Sequence, residues 1–243
     1  MEWGRAPERG RRSVRAWDLP TRLFKWALVL LVLNGWLTHF GGDAWLTAHM
    51  WNGIAVLVLV VFRLFWGVVG SSTALFSQWV SAPGRALAYG FDVLRGRGRR
   101  YLGHNPTGAW MILALLAASA LQAFAGLFMV DSNGVFGGPF ANTDPSADPT
   151  RAQSLFTSVH VRGILVIGAL VALHVAVNLL YQFAKREPLI QSMVTGVKPA
   201  ADYADAPTMR PAPALWTRAA LCLVAAVAIV VGGIKLFGGK LPG

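Results

Sequence analysis

The chain has 243 residues, 55% hydrophobic and only 14% charged, whereas an average soluble domain is about 25% charged. Its charges cluster between long apolar runs, which excludes a soluble globular domain and makes this a membrane protein. The formal net charge of +11 reads as a topology signal and a match to anionic lipid rather than nucleic-acid binding, and the single cysteine, Cys222, excludes a disulfide within the chain.

The N-terminal segment 1–22 is basic, with Arg5, Arg9, Arg11, Arg12, Arg15 and Arg22. The first apolar stretch, Leu23–Phe40, is long and has no small-residue cleavage site after it, so it reads as an uncleaved helix. Gly41–Ala48 carries Asp43 and no Lys or Arg before the second stretch, His49–Val69. The loop Gly70–Gly108 holds Arg85, Arg95, Arg97, Arg99 and Arg100. Asn105-Pro106 has the form of an N-cap and first-turn proline opening the third stretch, Ala109–Val130.

The connection Asp131–Leu155 carries Asp131, Asp144 and Asp148 against Arg151 alone. It is rich in Gly, Pro and Asp and is a candidate docking or lid element. The fourth stretch, Phe156–Phe183, is followed by Lys185, Arg186, Lys198, Arg210 and Arg218. Lys198–Pro213 is Pro-rich and reads as a linker to the fifth stretch, Leu215–Phe237.

By the positive-inside rule the N-terminus is cytoplasmic and the C-terminus periplasmic, in a bacterial inner membrane. Lys235 and Lys240, at the outer end of the fifth stretch, fit this least well. The expected fold is an all-α integral membrane protein. A basic segment 1–22 precedes a four-helix transmembrane core over 23–198, and a linker over 199–214 leads to an additional transmembrane helix within 215–243. Trp17, Trp26, Trp36, Trp45, Trp51 and Trp66 fall near helix ends, as an interfacial aromatic belt requires.

His160 and His174 lie fourteen residues apart in the fourth stretch. Fourteen steps return to within roughly 40° of the same face and rise about 21 Å, so one helix presents two imidazoles near opposite ends of the hydrocarbon core. Imidazole is a strong ligand for haem iron, and an ionisable group inside a membrane is a functional hypothesis by default. The chain has no CxxCH, so any haem is held non-covalently.

By depth, His49 meets His160 at the outer end. Gly53 and Gly163 follow these histidines and are candidates to admit a flat macrocycle. At the inner level the residue opposite His174 is Lys25. Arg63 lies fourteen residues after His49 on nearly the same face, where it either pairs with a haem propionate or snorkels to the headgroups. His39 is expected at the outer interface, and His104 at the surface or in a cap.

These residues resemble the prokaryotic cytochrome b561 family, which includes the cytochrome b subunits of nickel–iron hydrogenases. The stretches that carry the resemblance are RAWDLPTRLFKW (Arg15–Trp26), FRLFWGVVGS (Phe62–Ser71), RYLGHNPTGAWM (Arg100–Met111) and MVTGVKP (Met193–Pro199). It covers about Val14–Lys198 and leaves the fifth helix outside. The resemblance implies a four-helix core with two b haems, and electron transfer between a quinone pool and a partner. That partner is a periplasmic cytochrome c or a dehydrogenase- or hydrogenase-type subunit.

Carried over by position, His49, His160 and His174 match family haem ligands. Lys25 departs from the pattern, since the family has histidine there. Three outcomes are open: Lys25 ligates iron as a neutral amine, the inner haem is five-coordinate with Lys25 near a propionate, or the inner haem is absent. The expected function is thus a membrane b-type cytochrome acting through stacked haems. Two alternatives are a superoxide:quinone oxidoreductase using Arg151, Arg162 and Lys235 at the outer face, and a mono-haem cytochrome or non-redox anchor.

Overall fold

The computed structural model describes residues 13–130, 137–141 and 150–243. The N-terminal arginines at 5, 9, 11 and 12 lie outside the described residues, as do Asp131, Asp144 and Asp148 of the expected docking element. Five long helices dominate: α1 (Leu19–His39), α2 (Leu46–Val69), α5 (Pro106–Gly126), α6 (Arg151–Phe183) and α8 (Leu215–Leu236). The helices α2, α5, α6 and α8 are long and apolar enough to cross a membrane. The helix α1 is of similar length but carries Arg22, Lys25, Asn34 and His39, and is less apolar.

Capping residues set where the helices begin. Asp18 accepts the Thr21 N–H at 2.7 Å, and Pro20 sits in the first turn, so α1 opens before the apolar run does. Asn105 accepts the Gly108 N–H at 2.7 Å, with Pro106 first in α5, as the sequence predicts. Thr150 and Gln153 form a reciprocal capping box that starts α6 at Arg151, ahead of the apolar stretch. The basic loop 70–108 contains two further short helices, α3 (Phe76–Trp79) and α4 (Pro83–Leu94), which hydrophobic periodicity over so few residues does not announce.

The helix α2 is central and packs on α1, α5 and α8, while α6 packs on α5. Within the apolar region α1 and α2 are joined by polar contacts: Asn34 Nδ2 donates to Asn52 Oδ1 at 2.9 Å, and Asn52 Nδ2 to the Leu31 carbonyl at 3.0 Å. Such bonds between membrane helices average about 0.6 kcal/mol each, and they also fix register. The fifth helix is no loose appendage. Its Cys222 and Ala226 are buried in one cluster with Phe24, Phe62, Trp66 and Leu116.

The helix ends remote from His49 and His160 are closed by a clasp. The strand β1 (Ser13–Arg15) pairs antiparallel with β2 (Val197–Pro199), which follows the short helix α7 (Leu189–Thr195). Gly196, at φ 82°, turns the chain between them, and its carbonyl accepts the N–H groups of Ala16 and Trp17. The segment 199–214, read from composition as a linker, is strapped down. Asp205 accepts the N–H groups of Leu102 and Gly103, Met209 N donates to the Arg15 carbonyl, and Ala212 N donates to Ser71 Oγ.

Candidate functional site

His49 lies in the first turn of α2 and His160 nine residues into α6. Their ring centroids are 5.9 Å apart with the planes at 89°. Hydrogen bonds assign the tautomer of each ring. His160 Nδ1 lies 2.9 Å from the Gln122 carbonyl, which can only accept, so Nδ1 carries the proton. Thr38 spends its hydroxyl proton on the Asn34 carbonyl at 2.7 Å and so accepts from His49 Nδ1 at 3.0 Å. Each imidazole thus presents Nε2 as its lone pair, the arrangement that a hydrogen-bonded metal ligand adopts.

The ring of His160 is held from two sides. Gln122 Nε2 donates to the His160 carbonyl at 2.8 Å, making a reciprocal α5–α6 pair. At Gly126 a Cβ would stand 2.8 Å from His160 Cε1, so the backbone of α5 runs against the ring. The two glycines singled out in the sequence differ. Gly53 has no atom within 4 Å of where a Cβ would be, which suits a flat group lying there. The corresponding space at Gly163 is filled by Gln122 Oε1, so Gly163 serves α5–α6 contact instead. His39 stays beside the site, its ring 6.4 Å from that of His49.

His174 stands fourteen residues further along α6, nine before its end. Its Nε2 lies 3.1 Å from Asn178 Nδ2, which also donates to the His174 carbonyl at 2.7 Å. Lys25 lies in the second turn of α1. Its Nζ sits 3.5 Å from the Trp17 ring centroid and 3.2 Å from Met193 Sδ. Arg63 is 2% exposed. It donates through Nη2 to the Ala74 carbonyl at 3.0 Å, with its guanidinium 4.6 Å from the Phe76 ring and 5.5 Å from that of Trp79. Arg63 Nη1 is buried and has no partner among the described residues. It neither snorkels nor is fully satisfied.

His104 corrects the expectation of a surface or capping residue. Its ring sits 5.0 Å from that of Trp17 and 4.7 Å from that of Trp79, with Nδ1 buried and unpaired among the described residues. Burial, reinforced by Lys25 and Arg63, holds its pKa well below the ordinary imidazole range, so it is neutral. The sequence signal was available in the GHNP stretch, but the basic loop around it pointed to solvent. The aromatic belt is corrected in part. Trp26, Trp36, Trp45 and Trp51 are exposed, whereas Trp17 and Trp66 are buried, the latter donating from Nε1 to Thr21 Oγ1.

Two imidazoles facing each other across helices, each bonded elsewhere through Nδ1 and with glycine at hand, fit a haem iron. Among the described residues no three His, Cys, Asp or Glu side chains converge as a bare metal ion would need. At the inner level the unpaired Arg63 Nη1 is suited to a carboxylate such as a haem propionate. The motif stretches also meet in space. Met193 touches Lys25, Gly196 caps Ala16 and Trp17, and His104 lies between Trp17 and Trp79.

Comparison with curated proteins gives no match, and neither does comparison with solved structures. The family model described as prokaryotic cytochrome b561 matches residues 16–196, which contain α1 to α7 and every histidine discussed above. The chain belongs to the prokaryotic cytochrome b561 family, the haem b-binding membrane cytochromes of electron transfer.

Proposed function

We propose that this chain carries electrons between a quinone pool and a redox partner at the outer face of a bacterial inner membrane, with its N-terminus cytoplasmic and all five long helices spanning. The observation that carries this reading is the pair His49 and His160, each bonded through Nδ1 and with no hydrogen-bond partner for Nε2 among the described residues. Haem b, when bound, supplies a one-electron couple. His49 and His160 would supply its iron with two imidazole ligands, a ligand set that suits electron transfer over oxygen chemistry. Thr38 and Gln122 orient the ligands, and the apolar helices keep water away. His174 serves a second haem at the inner level with Lys25 in place of the family histidine, and Arg63 Nη1 is directed to a propionate. The partner is a cytochrome c or a dehydrogenase- or hydrogenase-type subunit.

A second reading, a mono-haem form, is favoured by one observation. Lys25 is engaged with Trp17 and Met193, and His174 Nε2 with Asn178. The haem-to-protein ratio of the purified protein separates the two, because one haem per chain ends the two-haem reading. A reduced-minus-oxidised spectrum recorded with a quinol as reductant tests the function. The expected result is a b-type band that develops with quinol, and its absence on chemical reduction as well would refute the cytochrome reading.

A further inference from the structure

The end of α6 nearest the clasp opens onto a cavity of about 310 Å³ whose lining includes Arg100, Arg186, Lys198, Glu187 and Tyr203. Three cations line it with one carboxylate. Glu187 stands 3.7 Å from Arg100 Nε, a loose ion pair, and its charge and that of Asp205 also act on Lys198, while Arg186 has no ion pair among the described residues. A second carboxylate, Asp205, accepts the Leu102 and Gly103 N–H groups and keeps its charge, so Arg100, Arg186 and Lys198 stand against Glu187 and Asp205. Lys198 is 3% exposed. Its ammonium is pinned by the Tyr101 carbonyl at 3.0 Å and lies 5.7 Å from the Tyr203 ring centroid, so a buried positive charge forms one wall.

Arg186 is held at φ 52°, a left-handed conformation that costs a non-glycine residue about 1–2 kcal/mol. Hydrogen bonds on either side of it, Glu187 N to the Tyr181 carbonyl and Leu189 N to the Glu187 carbonyl, keep the turn in place. Beside these cations Phe183, Ile190 and Val194 are exposed and apolar. The surface therefore changes from hydrocarbon-seeking to anion-seeking within a few residues, at the end of a helix long and apolar enough to span.

We propose that this cavity binds the phosphate of an anionic glycerophospholipid, whose acyl chains lie along the exposed apolar residues at the end of α6. Basic pockets beside membrane helices take such headgroups by charge and hydrogen bonding. The proposal rests on α6 crossing a membrane. It is independent of the direction of crossing and of how many haems are bound.

Native mass spectrometry of the haem-loaded protein, with phosphatidylglycerol or phosphatidylcholine added, tests it. The wild type is expected to retain phosphatidylglycerol in preference. Arg100→Gln and Arg186→Gln each weaken that binding about five-fold, the weight of one cation near an anionic lipid. Glu187→Gln, which removes the opposing carboxylate, strengthens it. Equal retention of both lipids overturns the proposal, as does unchanged binding in the arginine variants. Displacement of phosphatidylglycerol by inorganic phosphate makes this a site for a free anion and overturns the lipid assignment. The haem spectrum of each variant reports folding. If an arginine variant fails to fold, Glu187→Gln decides, and failure to strengthen binding overturns the proposal.

Discussion

His49 and His160 face each other at right angles, 5.9 Å between ring centroids, and each is tethered through Nδ1 to a helix other than its own. His49 is held by Thr38 of α1 and His160 by the Gln122 carbonyl of α5, so four helices meet at one pair of rings. Thr38→Val removes an acceptor without changing shape. It is expected to lower haem affinity about ten-fold and to raise the reduction potential, because the imidazole becomes a weaker donor to ferric iron. His160→Ala abolishes the outer haem component altogether. Redox titration of the two variants checks the order of severity.

Two glycines make opposite predictions. A Cβ at Gly126 meets the His160 ring, so Gly126→Ala is expected to displace that ring and to destabilise the apoprotein as well, by about 1–3 kcal/mol. A Cβ at Gly53 meets no protein atom. Gly53→Ala is therefore expected to leave the apoprotein's melting temperature unchanged or slightly raised, since alanine favours helix, while reducing haem retention. Equal haem loading of Gly53→Ala and the wild type would place the macrocycle elsewhere.

On the two-haem reading, Lys25→His supplies an imidazole to pair with His174. The expected outcome is a bis-imidazole low-spin signal for the inner haem, with the outer component unchanged. Lys25→Ala alters only the inner component. Electron paramagnetic resonance of oxidised samples distinguishes these, and a change in the outer signal in either variant would show that the two levels are not separate.

His104 is kept neutral by burial, so its folded pKa lies below its unfolded value of about 6.5. The unfolded chain takes up the proton first as pH falls. The stability from burying a neutral ring is thus fully present above about pH 6.5 and is lost progressively at lower pH. His104→Gln is expected to flatten that part of the profile. Melting temperatures of wild type and variant between neutral and acidic pH give the difference, and parallel curves would contradict the assignment.

Much of this was legible before any coordinates. The long apolar runs, the Asn105-Pro106 start of α5 and the common level of His49 and His160 follow from period, capping chemistry and depth. The helices α1 and α6 begin earlier than hydropathy suggests because Asp18 and the Thr150–Gln153 box start them, and polar caps lie outside an apolar run. The Nδ1 partners of the histidines were not legible, since Thr38 and the Gln122 carbonyl reach them only across helices. The same holds for His104, whose burial depends on Trp17 and Trp79 arriving from distant segments, and for α8, which α2 recruits through small residues such as Ala226. Gly163 failed because spacing along one helix says nothing of the Gln122 side chain on the next.

The pairing of Ser13–Arg15 with Val197–Pro199 bears on biosynthesis. The N-terminal strand emerges first from the ribosome, yet its partner is made only after α7. The helices α1, α2, α5 and α6 are therefore all synthesised while this end of the bundle is still unlatched. Closure of that latch waits until all of residues 16–196 and β2 itself have been translated, which makes it a late step in assembly and places its loss among defects of maturation.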